Sequence, residues 1–253
     1  MIYGIILKNM KIIVTKDYND LSAQVADLVI KQIKLKPDSV LGLPTGGTPL
    51  GLYHNLIKAY QQGIISFSRV TTFNLDEYLG LGCGDKQSYC YFMWHNLFKE
   101  IDIKKENVFI PNGLVAKVKA GNYCRQYEEE IINRGGLDLQ ILGIGQNGHL
   151  GFNEPGSAIE SEMRIVNLSD NTIEANSRFF SNPKIVPTKA ITLGLEAIMA
   201  AKKIIVLAAG QPKAEAIAKA ISGPVSQELP ASVLQQHNNV TFVLDRPAAS
   251  QLN

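Results

Sequence analysis

The fold of this chain is organised around one stretch, LDLQILGIGQNGHLGFNEPG at residues 137–156. Its first six residues are rich in leucine and isoleucine, which predicts a buried strand ending at the ligand-binding edge of an α/β sheet. The five glycines that follow allow the backbone to turn sharply and to approach a ligand closely. The polar side chains of this loop are three amides, the imidazole of His149 and the carboxylate of Glu154. A lone histidine would suggest only an incidental turn residue, but this combination predicts a proton-transfer site.

The composition is that of an ordinary globular protein. The 253 residues are 45% hydrophobic and 19% charged, with a net charge of +2. No run of Lys or Arg provides a footprint for nucleic acid or for an acidic membrane surface, and no apolar run reaches transmembrane length. We therefore expect neither nucleic-acid nor membrane partners, while small anions remain possible ligands.

The cysteines and the first residues bear on the location of the protein. Cys83, Cys90 and Cys124 follow no metal-binding spacing, and an odd count does not indicate a disulfide framework. A reducing, cytoplasmic location fits this pattern. Residues 1–9 are apolar but lack the basic start and the cleavage site of a signal peptide. We expect them to be an N-terminal extension of a domain that spans residues 10–253.

Strand patterns alternate with helical patterns along the whole chain. A helix with Asp17 or Asp20 as its cap follows the first strand, and charged or amphipathic helices follow most of the others. This alternation predicts a single-domain, doubly wound, Rossmann-like α/β fold, with a largely parallel sheet and helices on both faces. The predicted strands are at residues 11–15, 39–43, 69–74, 108–110, 137–142, 164–168, 190–194, 203–207 and 240–245.

The turn PTGGTP at residues 44–49 is a candidate phosphate site. It joins a buried strand to a helix, so free backbone N–H groups, two hydroxyls and the positive end of a helix dipole lie together. The alternative is an ordinary capping turn, with Thr48 as the N-cap and Pro49 at the first helical position. No Gly-Lys-Ser/Thr ending is present, so ATP is not implied. Lys213 opens another helix after a strand and could add a positive charge to an anion site.

Two adjacent acids, Asp76 and Glu77, follow the third predicted strand. Carboxylates at the carboxyl end of a strand are candidates for base chemistry in an α/β sheet. The alternative is that one acid caps the next segment and the other is solvated. Residues 79–86 contain several glycines and no periodic pattern, which favours a mobile lid before the helical stretch at residues 92–98.

Taken together, four motifs resemble the glucosamine-6-phosphate deaminase family over residues 10–245. They are LPTGGTP at 43–49, FNLDEY at 73–78, GQNGH with FNEP at 145–155, and NSRFF at 176–180. Each motif alone is weak, but the four in register are specific. The resemblance implies hydrolytic, isomerising deamination of D-glucosamine 6-phosphate to D-fructose 6-phosphate and ammonia, without a metal or a redox cofactor.

Matching positions imply a role for each site residue. The family's pattern gives Asp76 the removal of the C2 proton and His149 the opening of the sugar ring, with Glu154 orienting the histidine. Many relatives have Asp where this chain has Asn147, and an amide cannot stabilise an imidazolium by charge, so Glu154 is expected to carry more of the orienting role. Glu77 is expected to be structural. The residues implied to bind substrate are Thr45, Gly46, Gly47, Thr48, Tyr89, Arg178 and Lys213.

Two other functions share parts of this pattern. A 6-phosphogluconolactonase-like enzyme has a similar glycine-rich loop with histidine, but it would not need Asp76 as a carbon base. A sugar-phosphate sensor would carry a helix-turn-helix segment, for which residues 1–10 leave no room. Allosteric, hexameric deaminases bind N-acetylglucosamine 6-phosphate with an Arg and a Lys two residues apart, and here these positions are Arg164 and Val166. We therefore expect an unregulated monomer or small homo-oligomer.

Overall fold

The computed structural model describes residues 3–7, 10–177 and 186–252. Its main sheet contains seven parallel strands and one antiparallel edge strand in the order β1-β2-β11-β10-β7-β3-β4-β6. Strand β1 pairs along β2, so part of the expected N-terminal extension lies on the sheet edge. The strands are β1 (Tyr3–Leu7), β2 (Met10–Thr15), β3 (Val40–Leu43), β4 (Thr71–Asn74), β6 (Val108–Phe109), β7 (Leu139–Leu142), β10 (Ile204–Ala208) and β11 (Val240–Asp245).

Helices cover both faces of this sheet, which confirms the predicted doubly wound, single-domain fold. Successive strand residues point to opposite faces. Ile12 and Ile204 therefore pack into the core under one helical layer, and Ile13 and Ile205 pack into the core under the other. The described helices are α1 (Tyr18–Leu35), α2 (Leu50–Gln61), α3 (Tyr89–Asn96), α4 (Lys117–Asn133), α5 (Asp170–Ser177), α6 (Leu195–Met199) and α7 (Ala214–Ser222).

The strand order places a topological switch point between β3 and β7. From β3 the chain continues outward through β4 to β6, and from β7 it continues the other way through β10 to β11. The loops after β3 and β7 therefore leave the sheet in opposite directions and open a crevice between them. These are the two loops whose glycines and polar residues predicted binding and chemistry.

A separate antiparallel sheet in the order β5-β9-β8 contains two of the predicted strands, at residues 164–168 and 190–194, and a third strand that was not predicted. These strands are β5 (Asp76–Tyr78), β8 (Arg164–Asn167) and β9 (Lys189–Thr192). A parallel crossover needs a dozen or more residues, and only Leu75 separates β4 from β5. Strand β5 therefore leaves the main sheet, and Asp76 starts this small sheet instead of ending a strand of the large one.

Several local expectations differ from the structure in their details. Asp17 does cap α1, since its side chain accepts a hydrogen bond from the Asp20 N–H. The expectation that the cysteines form no disulfide is wrong for Cys83 and Cys90, which are bonded across the start of α3, whereas Cys124 is free and buried. Spacing could not reveal this pair, because it forms where the loop at residues 79–86 meets the first turn of α3.

Asp138, within the stretch at residues 137–156, is buried and charged. Its carboxylate accepts hydrogen bonds from Lys36 Nζ at 2.5 Å, from Lys202 Nζ at 2.8 Å and from the Val40 N–H at 2.9 Å. Burial alone would raise the pKa of Asp138, but these three donors outweigh it and lower the pKa below its usual range. The residue ties β3 to β7 at the sheet edge opposite the crevice.

Candidate active site

The crevice between β3 and β7 widens into a cavity of about 650 Å³. Glu154 does not line it but lies behind Asn147, and Arg178 lies outside the described residues. The structure thus brings together nine of the eleven site residues predicted from the sequence: Thr45, Gly46, Gly47, Thr48, Asp76, Tyr89, Asn147, His149 and Lys213.

The turn after β3 forms one end of the cavity and leads into α2. Gly46 has a φ of 96°, a left-handed conformation that favours glycine. The expectation that Thr48 caps the helix is wrong: Pro49 occupies the N-cap position, and no side chain there makes a cap bond. The Tyr18 hydroxyl donates to the Thr48 carbonyl at 3.0 Å and accepts the Gly51 N–H, so α1 holds the turn in place. The Thr48 side chain therefore remains available to a ligand at the N-terminus of α2.

The two adjacent acids have different surroundings. The Glu77 carboxylate accepts three backbone N–H groups, from Tyr78 at 2.8 Å, Tyr89 at 2.9 Å and Cys90 at 2.8 Å. Two of these donors belong to the first turn of α3, so Glu77 supports that helix and is structural, as expected. Asp76 instead lines the cavity, with only 6% of its surface exposed.

Asp76 is held against the glycine loop that follows β7. Gly151 has a φ of 58°, and a Cβ atom there would lie 3.0 Å from Oδ2 of Asp76 and 3.2 Å from Oγ1 of Thr192. Burial, and secondarily the neighbouring Glu77 carboxylate, raise the pKa of Asp76 to about 8. A carboxyl group with such a pKa can both remove and return a proton near neutral pH.

His149 is linked to Glu154 through Asn147. The His149 Nδ1 lies 2.8 Å from the Asn147 Oδ1, and the Asn147 Nδ2 donates to the Glu154 Oε2 at 2.7 Å. The direct distance from His149 Nδ1 to Glu154 Oε2 is 3.6 Å. Both residues therefore lie against the same ring nitrogen, with Asn147 in hydrogen-bond contact and Glu154 behind it.

The Glu154 carboxylate has a further partner, since its Oε1 accepts a hydrogen bond from the Thr172 hydroxyl of α5. Partial burial would raise the pKa of Glu154, but interactions with His149, Thr172 and Asn147 outweigh it and lower the pKa to about 2. Glu154 is therefore charged at neutral pH.

The remaining walls are aromatic and basic. The Tyr89 ring stacks on Phe152 with centroids 5.9 Å apart, and it packs against Tyr78 at 4.8 Å. Lys213 lies in a single 3₁₀ turn that follows Gly210, whose N–H donates to the Asp245 carboxylate at 3.0 Å. Asp245 thereby fixes the loop that carries Lys213.

Two supports of the site, Thr172 and Asp245, are not among the residues predicted from the sequence. The Ser169 Oγ accepts the Thr172 N–H at 3.2 Å, so Ser169 caps the start of α5. The pattern of Ser169 three residues before Thr172 is a capping signal, but it does not show that Thr172 reaches Glu154.

Among the described residues, no three His, Cys, Asp or Glu side chains are grouped as metal ligands. None of the helices in the described ranges combines the length and apolar character of a membrane span.

Comparisons with known proteins agree on one family. A family model for glucosamine-6-phosphate isomerases and 6-phosphogluconolactonases matches residues 16–243. A glucosamine-6-phosphate deaminase of Thermoanaerobacter sp. (strain X514) is 55% identical over 241 residues, which cover 95% of this chain and 94% of that protein. The protein of the same name from Clostridium botulinum (strain Kyoto / Type A2) is 51% identical over 244 residues, covering 96% and 99%.

Solved structures agree with these sequence matches. A monomeric glucosamine-6-phosphate deaminase superposes with a TM-score of 0.91 at 44% identity, covering 94% of this chain and 98% of that one. The 6-phosphogluconolactonase of Trypanosoma brucei superposes with a TM-score of 0.76 at 20% identity, covering 96% and 98%. At that identity the second likeness concerns the fold alone.

Proposed function

The chain belongs to the glucosamine-6-phosphate isomerase/6-phosphogluconolactonase family, and from this premise we propose that it is a glucosamine-6-phosphate deaminase. The reaction converts D-glucosamine 6-phosphate and water to D-fructose 6-phosphate and ammonia. One observation carries the proposal: a single cavity contains the Asp76 carboxylate, the Asn147–His149 pair and the glycine turn at the start of α2. We also propose that the enzyme acts in the cytoplasm.

The first step is the opening of the sugar ring. The Asn147 carbonyl accepts the proton on the His149 Nδ1, so Nε2 carries the lone pair that takes the proton from the anomeric hydroxyl. His149 then returns this proton to the ring oxygen as the C1–O bond breaks, which leaves an open-chain aldehyde. The charged Glu154 stabilises the imidazolium that forms in between, with its effect transmitted through the Asn147 amide.

Asp76 then moves a proton between adjacent carbons. Its carboxylate removes the C2 proton to give an enolamine and returns it at C1, so one group serves both carbons. The resulting C2 imine takes up water and releases ammonia, which gives the ketose. Burial of Asp76 suits this role, because the raised pKa makes the carboxylate a stronger base than a solvated aspartate.

Substrate binding is proposed for the two ends of the cavity. Thr45, Gly46, Gly47 and Thr48 bind the phosphate at the N-terminus of α2, with positive charge from Lys213 and Arg178. Tyr89 covers the sugar from the aromatic wall. A small sugar phosphate is therefore the only ligand that we propose. For the oligomeric state we propose a monomer or a small homo-oligomer.

Lactone hydrolysis is the second candidate, and one feature of the site disfavours it. A lactonase needs a histidine that activates water but has no use for a buried carboxylate of raised pKa beside the sugar. Ammonia release from glucosamine 6-phosphate, measured beside hydrolysis of 6-phosphogluconolactone, distinguishes the two functions. Lactone hydrolysis without ammonia release would refute the proposal.

The pH dependence follows from the pKa of Asp76. Proton removal requires the carboxylate form, and because the pKa is raised to about 8, this form is lost as the pH falls through that value. We expect kcat/KM to rise with pH up to about 8 and then to level off until another group titrates. Glu154 adds no limb in this range, because its pKa is lowered to about 2. A kcat/KM that is flat between pH 5 and 8 would contradict the raised pKa.

Lys213→Ala is expected to weaken substrate binding more than turnover. A charge-assisted contact to phosphate acts on the substrate and the transition state alike, so KM should increase by an amount that corresponds to roughly 1–3 kcal/mol. Lys219→Ala is the matched control, because Lys219 lies in the next helix, α7, and pairs with Glu215 at 2.5 Å. An unchanged KM in Lys213→Ala would show that this lysine does not bind the phosphate.

Regulation by N-acetylglucosamine 6-phosphate is not expected. Val166 replaces the lysine of the allosteric pair, and valine offers neither charge nor a hydrogen bond to an effector phosphate. Without differential contacts, an effector cannot shift a conformational equilibrium. Initial-rate curves should be hyperbolic and unchanged by the effector, and light scattering should show a monomer or small oligomer. Sigmoidal curves that the effector makes hyperbolic would contradict the first expectation, and a hexameric mass the second.

A further inference from the structure

We infer that Thr172 is a positioning residue for His149, because its hydroxyl fixes the Glu154 carboxylate that sets the orientation of the Asn147 amide. The inference rests on the proposed function, since it explains how His149 is kept in the form that opens the sugar ring. Thr172 belongs to α5, whereas the other three residues belong to the loop after β7. The contact therefore joins two separate parts of the fold.

The first part of the argument concerns the two oxygens of Glu154. Oε1 accepts the Thr172 hydroxyl and Oε2 accepts the Asn147 Nδ2 at 2.7 Å. With both oxygens engaged by donors from different directions, the plane of the carboxylate is fixed. If the Thr172 donor is lost, Oε1 has no fixed donor, and the carboxylate can then rotate about its side-chain bonds.

The second part concerns the amide of Asn147. An amide has one donor end and one acceptor end, and Glu154 takes the donor end. The carbonyl must then face His149 Nδ1, which lies 2.8 Å away, so Nδ1 carries the ring proton. If the amide turned over, its NH₂ would face Nδ1 and move the proton to Nε2. That tautomer cannot accept a proton from the anomeric hydroxyl, so the orientation of Asn147 decides whether His149 can act as a base.

The third part concerns Thr172 itself. Its side chain is buried, with 6% of the residue surface exposed. The Ser169 hydroxyl lies 3.1 Å from Oγ1 and donates to it, so the single proton of Thr172 is left for Glu154. The hydroxyl is thus held in one orientation by a neighbour that does not itself contact Glu154.

Helix α5 also connects the Thr172–Glu154 contact to the proposed phosphate site. Thr172 lies six residues before Arg178, for which we propose a phosphate contact. The Thr172 side chain lines the same cavity as the glycine turn. The segment that leads to Arg178 therefore also supplies the Thr172 hydroxyl, which positions His149.

The test compares three variants with the wild type. Thr172→Val keeps the shape of the side chain but removes the donor, and we expect kcat to fall by about tenfold with little change in KM. Thr172→Ser retains the hydroxyl and should restore most of the activity. Thr241→Val is the matched control, since it makes the same exchange in β11 at a residue that does not line the cavity, and it should keep a kcat near that of the wild type.

Nitrogen NMR of the His149 ring supplies a readout that a merely structural role would not change. The Nδ1–H tautomer should dominate in the wild type and in Thr172→Ser, and the Nε2–H tautomer should become populated in Thr172→Val. A wild-type ring protonated at Nε2, an unchanged kcat and tautomer in Thr172→Val, or equal losses in Thr172→Val and Thr241→Val would each overturn the inference. The wild-type tautomer tests the inference even if Thr172→Val does not fold. Absence of ammonia release by the wild type would refute the proposed function instead.

Discussion

Asp76→Asn should abolish ammonia release while leaving the fold and phosphate binding intact. The amide is almost isosteric with the carboxylate, but it cannot accept the C2 proton, and we expect kcat to fall by a factor on the order of a hundred or more. The substitution should affect proton transfer alone, because the Asp76 carboxylate lies against Gly151 in the cavity. The backbone N–H groups of α3 bind the neighbouring Glu77 instead.

The measurement is a steady-state assay of ammonia release, beside binding of a non-reacting sugar phosphate by calorimetry. Burial, more than repulsion by Glu77, disfavours the charged form of Asp76, so a neutral amide in its place should leave the unfolding temperature the same as in the wild type or higher. Near-normal turnover in a folded variant would contradict the assignment of Asp76 as the carbon base. Loss of sugar-phosphate binding as well as turnover would show that the substitution disturbs more than proton transfer.

Gly145→Ala should cause the second largest loss of activity. A Cβ atom at this position would lie 2.2 Å from Nδ1 and 2.5 Å from Cγ of the His149 ring, which is too close for any side chain to tolerate. The ring must move, and its 2.8 Å contact with Asn147 is then lost. We expect kcat to fall on the order of a hundredfold, which is the usual contribution of a positioned general acid–base group.

Gly121→Ala is the control for the exchange of glycine for alanine. Gly121 lies in α4, where a Cβ atom would meet no other group within 4 Å, so alanine should leave activity unchanged and stabilise the helix slightly. Ring signals of His149 should move in Gly145→Ala and stay in place in Gly121→Ala. Retained activity in Gly145→Ala would mean that the histidine can act from another position.

The sequence alone determined the fold class and nine of the residues that line the cavity. Strand and helix patterns depend on neighbouring residues and on periodic burial, so they can be recognised locally. The turn at residues 44–49 and the loop at residues 143–156 carry their own signals, because each combines glycines with polar residues directly after a buried strand. In a parallel α/β sheet such loops lie at one edge, which is why their association could be predicted.

Only the tertiary structure decided which side chains contact each other. Asp76 and Glu77 are adjacent in sequence, yet one lines the cavity and the other caps α3, because β5 leaves the main sheet. Asn147 separates His149 from Glu154, and the second partner of that carboxylate is Thr172, 18 residues farther along the chain. Hydrogen-bond partners of this kind depend on distances of a few tenths of an ångström between separate elements, and no periodic pattern in the sequence encodes such distances.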